Sequence, residues 1–104
     1  MELLDDTAIA AALADLDGWE RDGDALVRAL RFPSFLDAIA FIVRVADVAE
    51  AADHHPELTN VYWNVSVRLT THDAGGITAR DVDLARAIDG VVDPAPGGAH
   101  PAEG

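Results

Sequence analysis

The chain has 104 residues, 50% of them hydrophobic and 25% charged, the size and balance of one small globular domain. It carries 19 acidic and 7 basic side chains, the latter all Arg, for a formal net charge of −12. Such a surface repels phosphate backbones and anionic headgroups, so no direct nucleic-acid or membrane binding is expected.

The absence of Cys excludes disulfides, thiolate nucleophiles and Cys-based zinc sites. No apolar run approaches the roughly 20 residues that span a bilayer. The start, Met1-Glu2-Leu3-Leu4-Asp5-Asp6, is acidic and unlike a signal peptide, so a cytoplasmic location is expected.

In chain order, Ile9, Leu13 and Leu16 recur at helical spacing, with Asp5, Asp6 or Thr7 as caps and Gly18 as a stop. Residues 19–21 and 25–32 flank Asp22-Gly23-Asp24, a hairpin signal. Ser34 caps a second helix, expected to reach Ala52. Its predicted buried stripe is Phe35, Ile39, Ile42, Ala46 and Ala49, widened by Leu36, Ala40 and Val43. Pro56 forbids a continued helix and holds His55 extended.

Val61, Trp63, Val65, Val67 and Leu69 then alternate with polar residues, which predicts one long strand with Trp63 on its dry face. Asn60 is read as a turn residue. Thr78 and Asp81 start a last helix that buries Val82, Leu84, Ala85 and Ile88 and ends near Gly90. One domain is expected over 1–92. The Pro-, Gly- and Ala-rich tail 93–104, with an inert His100, is expected to be disordered. The order predicts an α+β two-layer sandwich, with about three helices on one face of a mainly antiparallel four-stranded sheet.

Chemistry concentrates in His54, His55 and His72. They meet if the segment after Pro56 turns back at Asn60 and pairs antiparallel with the next strand. Three imidazoles beside carboxylates are also a possible zinc set. Against that, adjacent residues on an extended backbone point to opposite sides, so His54 and His55 would not easily share one ion, and no metal is expected.

The run from Glu50 through His54-His55-Pro56, Asn60-Val61-Tyr62, Thr71-His72, Gly76-Ile77-Thr78 and Asp81 resembles the signature of the pterin-4a-carbinolamine dehydratases. The resemblance covers about residues 5–90, with Gly18-Trp19 and the Phe32/Phe35 pair agreeing upstream. One departure is Leu58, where the family commonly has an aromatic residue near the pterin.

The resemblance implies dehydration of 4a-hydroxytetrahydropterin to quinonoid dihydropterin, within tetrahydrobiopterin recycling and without a cofactor. It implies His55 and His72 as the acid/base pair and His54 as a positioning group. Imidazole suits both roles because it ionises near neutrality. Glu50 is expected to orient an imidazole and Asp81 to orient His72, although a solvated helix residue and a helix cap are the plainer readings of these two. Trp19 and Leu58 are expected to wall the flat pterin. A homodimer or homotetramer is expected. The alternative is a non-catalytic member of the same fold, acting in assembly or as a transcriptional coactivator.

Overall fold

The computed structural model describes residues 2–92 and the backbone of 100–101. Helix α1 (Asp6–Ala14) starts where the Asp5 carboxylate accepts from the Ala8 amide and turns Ile9 into the core. Strands β1 (Glu20–Asp22) and β2 (Ala25–Arg31) form the expected hairpin, pairing Asp22 with Ala25 across Gly23, whose φ is 58°. Helix α2 (Phe35–Ala52) is capped by Ser34, which accepts from the Asp37 amide.

Two sequence expectations fail here. The buried positions of α2 are Ala38, Phe41, Val45 and Ala49, whereas Phe35, Leu36 and Val43 are exposed. The helix is apolar almost all round, so periodicity alone did not locate the stripe that meets the sheet.

The segment after Pro56 does turn back and pair antiparallel with the next strand, as β3 (Glu57–Val61) and β4 (Asn64–Leu69), but the turn falls at Tyr62-Trp63, so Val61 closes β3 and the strand expected from Val61 begins at Asn64. The Asn60 side chain donates to the carbonyls of Tyr62 and Asn64, and Tyr62 adopts φ 54°. Asn60 thus shapes the turn as expected. Trp63 stands in that turn, 42% exposed, and is not core. The apolar alternation continued through Val61 and Trp63 and placed the reversal too early.

The sheet runs β1-β2-β4-β3, all antiparallel, and the two-residue β5 (His100–Pro101) also pairs with β2. Apart from β5, the expected tail disorder concerns residues outside those described. Helix α3 (Ala79–Asp89) follows a turn closed by the Thr71–Gly76 bridge.

Val65, Val67 and Leu69 of β4 alternate inward and join Leu26, Leu30, Phe41, Val45, Leu84 and Ile88 in one buried cluster. The fold is the expected α+β sandwich, three helices on an antiparallel sheet. The β3–β4 hairpin returns the chain from His55 to His72: Glu57 lies opposite Arg68, so the start of β3 adjoins the end of β4.

Candidate active site

The site forms where three chain ends meet: the C-terminus of α2, the end of β4 and the N-terminus of α3. Helix α2 stops at Asp53, which takes the left-handed conformation (φ 50°, ψ 42°) and donates its amide to the Ala49 and Glu50 carbonyls. This reversal turns His54 inward and leaves His55 on the surface. Pro56 then sends the chain into β3.

His54 is buried, and its Nε2–H donates to Asp81 Oδ1 at 2.6 Å. Asp81 is fully buried at the start of α3. Its Oδ2 accepts from the Thr71 hydroxyl and the Thr78 amide, both at 2.9 Å. Because Thr71 spends its single proton on Asp81, the Thr78 hydroxyl donates to Thr71 Oγ1 at 2.8 Å. No fully buried side-chain polar atom of this network lacks a partner, as burial requires.

His55 is more open. Its Nε2–H donates to Glu50 Oε1, 2.6 Å away on the last turn of α2. His72 follows Thr71 and is exposed. A concavity of about 250 Å³ brings the three histidines together, lined also by Asp53, Thr70, Thr71, Asp73 and Arg80. Arg80 donates to the Asp53 carbonyl. Adjacent residues of α3, Arg80 and Asp81, therefore grip adjacent residues of the α2 terminus, Asp53 and His54.

Asp81 does orient an imidazole, but it is that of His54 and not of His72. Glu50 orients His55. Trp19 does not line the concavity: it is buried, and its Nε1–H donates to Asp89 Oδ1 at 2.8 Å. Asp89 is at the far end of α3, about 12 Å along the helix from Asp81. Leu58 faces inward on β3, half-buried against the core opposite Val67, and does not line the concavity either.

Sequence reasoning missed Arg80, Asp53 and the two threonines. Thr78 was visible as a cap, but nothing local to residue 80 signals a bond to residue 53. Among the described residues, no group of three or more His, Asp or Glu side chains converges as a metal-binding set. No helix there is long and apolar enough to cross a membrane.

Chemically, the concavity offers two imidazole–carboxylate pairs, one buried and one open, with a third imidazole on its wall. Such a set can hold a flat polar ligand and move protons at two of its atoms.

A family model described as pterin 4 alpha carbinolamine dehydratase matches residues 2–91. A protein of Thermomicrobium roseum is 54% identical over 88 residues, 85% of this chain and 95% of its own. One of Mycobacterium avium is 53% identical over 92 residues, 88% of this chain and 98% of its own. Both carry the name "putative pterin-4-alpha-carbinolamine dehydratase". A crystal structure from Brucella melitensis, described as a transcriptional coactivator/pterin dehydratase, superposes with a TM-score of 0.83. It is 36% identical, over 86% of this chain and 98% of that one.

Proposed function

This chain belongs to the pterin-4-alpha-carbinolamine dehydratase family, and from that premise we propose that it removes water from a 4a-hydroxytetrahydropterin by histidine acid/base catalysis. The observation that carries the reading is the meeting of His54, His55 and His72 at one concavity, two of them held by carboxylates.

The reaction is an elimination. The C4a–O bond breaks, a proton donor converts the departing hydroxyl to water, and a base takes the N5 proton. The electron pair of the N5–H bond becomes the second bond of C4a=N5, giving quinonoid dihydropterin. His55 and His72 are the exposed imidazoles and serve as the acid/base pair. His54 is fixed by a network it cannot leave without exposing buried partners, which suits it to binding and positioning the ring. Asp81 and Glu50 set the orientation of His54 and His55 respectively. Returning the quinonoid product to the tetrahydropterin pool places the reaction in tetrahydrobiopterin recycling, in the cytoplasm. The exposed Phe35, Leu36 and Val43 of α2 support a homodimer or homotetramer.

The roles are tested by dehydration kinetics of the single variants His54→Ala, His55→Ala and His72→Ala. His55→Ala and His72→Ala should each lower kcat by ~10²–10⁴-fold, the usual contribution of a general acid or base. His54→Ala should raise KM as well. Full kcat in either His55→Ala or His72→Ala removes that residue from the acid/base pair.

A second reading, favoured by the coactivator description of the Brucella melitensis relative, is a non-catalytic binding or assembly role. It predicts that partner binding survives in the histidine variants.

A further inference from the structure

Strand β2 is paired by β4 on one side from Leu26 to Arg31, whereas β1 covers its other side only from Ala25 to Val27. Among the described residues, what lies on that second side beyond Val27 is β5, with His100 opposite Arg31 and Pro101 opposite Leu30. An unpaired strand edge is a template for an extended segment of any other chain. We propose that the C-terminal segment is a built-in guard of the β2 edge: from within its own chain it fills a surface that would otherwise accept a strand of another molecule.

The register makes the segment suited to this. The Phe32 amide donates to the Trp63 carbonyl at 2.9 Å, and that pair continues the β2–β4 register of Arg31 with Asn64 and Leu30 with Val65. In an antiparallel ladder, successive residues turn their N–H and C=O to alternate sides. Phe32 and Leu30 therefore face β4, and Arg31 faces the other way, towards His100. His100 and Arg31 form the hydrogen-bonded pair, and Pro101 and Leu30 the non-bonded one. The proline thus stands where its missing N–H costs no bond to β2. Its nitrogen is on the outer side, so β5 offers no donor there to a further strand. Proline on an outermost strand is one of the means by which sheets are kept from growing.

The segment also has the reach to act within one chain. The end of α3 is tied to β2 by the ion pair of Arg28 with Asp89, and to α2 by Arg44, whose Nε donates to the Val91 carbonyl at 2.9 Å. The chain therefore leaves the helix beside Arg28, which is about 10 Å along the strand from Arg31. Residues 93–99 can extend roughly 25 Å, so no second copy is needed to bring residue 100 to the edge. Charge agrees with the placement. Strand β2 contributes Arg28 and Arg31, while residues 93–104 contain Asp93 and Glu103 and neither Lys nor Arg.

The test is amide hydrogen exchange and sedimentation of the full chain as wild type, His100→Pro and Pro101→Ala. In the wild type the Arg31 amide should be protected to the same degree at low and at high protein concentration. His100→Pro removes the donor to the Arg31 carbonyl and should speed Arg31 exchange roughly two- to tenfold, the worth of one hydrogen bond. The Leu30 amide, which faces β4, should keep its rate and so shows that the domain is folded. The same variant should form a larger, concentration-dependent species that the wild type lacks at equal concentration. Pro101→Ala should leave Arg31 exchange as it is in the wild type, because position 101 makes no bond to β2.

Arg31 protection that is lost on dilution assigns the edge to a second copy and overturns the guard. Arg31 exchange that His100→Pro leaves unchanged, or that quickens without any larger species, overturns it as well, as does an equal loss of protection in Pro101→Ala. The dehydratase reading stands apart from all of these outcomes.

Discussion

Asp81 is the residue on which the site turns. Three donors converge on its carboxylate, the His54 imidazole, the Thr71 hydroxyl and the Thr78 amide, and none of them meets water there. An amide in its place offers one acceptor oxygen and forces an NH₂ against a donor. Asp81→Asn should therefore cost about 1–3 kcal/mol of stability, the price of a buried donor left unmet. It should also lower kcat at least about tenfold by freeing His54. Urea denaturation and dehydration kinetics check the two parts.

Glu50 contrasts with it, because its bond to His55 lies in solvent. Glu50→Gln should move stability by less than about 1 kcal/mol while lowering kcat measurably. A large loss of stability would make Glu50 a fold residue. The three histidines, Glu50 and Asp81 were singled out in the sequence by the resemblance to the dehydratase signature. Their pairings were not, because spacing does not say which imidazole the first turn of α3 will meet. Trp19 was misplaced for a related reason: a Trp with one polar edge serves a part-buried Asp89 contact as well as it serves a ligand wall.

At the scale of elements, the end of α2 decides where the histidines point. Asp53 holds a left-handed conformation that Gly adopts without penalty. Asp53→Gly should stabilise the fold by about 0.5–1 kcal/mol, the relief of the left-handed backbone less the added chain entropy. A fall in the urea midpoint would show that the Asp53 side chain contributes more than its backbone.

Arg80 ties the Asp53 carbonyl to α3. Arg80→Met should lower kcat roughly tenfold through loosened placement of His54 and His55, with a smaller change in KM. Equal stability and full kcat would leave Arg80 a surface residue. The helices and the first hairpin were legible from caps and turn residues at Asp5, Gly23, Ser34 and Thr78. The second hairpin was anticipated with its turn at Asn60, and the turn was placed too early because Tyr62-Trp63 contains neither Gly nor Pro and is held by a side chain, Asn60, that precedes it. The face of α2 was hidden because Phe35, Leu36 and Val43 are as apolar as the residues that are buried.

For the whole molecule, those three exposed side chains matter again. Large apolar groups on one helix of a small, highly charged chain invite burial against a second copy. Leu36→Glu combined with Val43→Glu should shift the sedimentation coefficient towards that of a monomer of 11.0 kDa without unfolding the domain. An unchanged coefficient would place any interface elsewhere.

The central claim is the reaction itself, and it is tested most directly by stopped-flow absorbance. A 4a-hydroxytetrahydropterin generated in situ is mixed with the wild-type chain or with buffer, and formation of quinonoid dihydropterin is followed. Dehydration that accelerates in proportion to protein concentration is the predicted result. A folded protein that leaves the buffer rate unchanged would contradict the account.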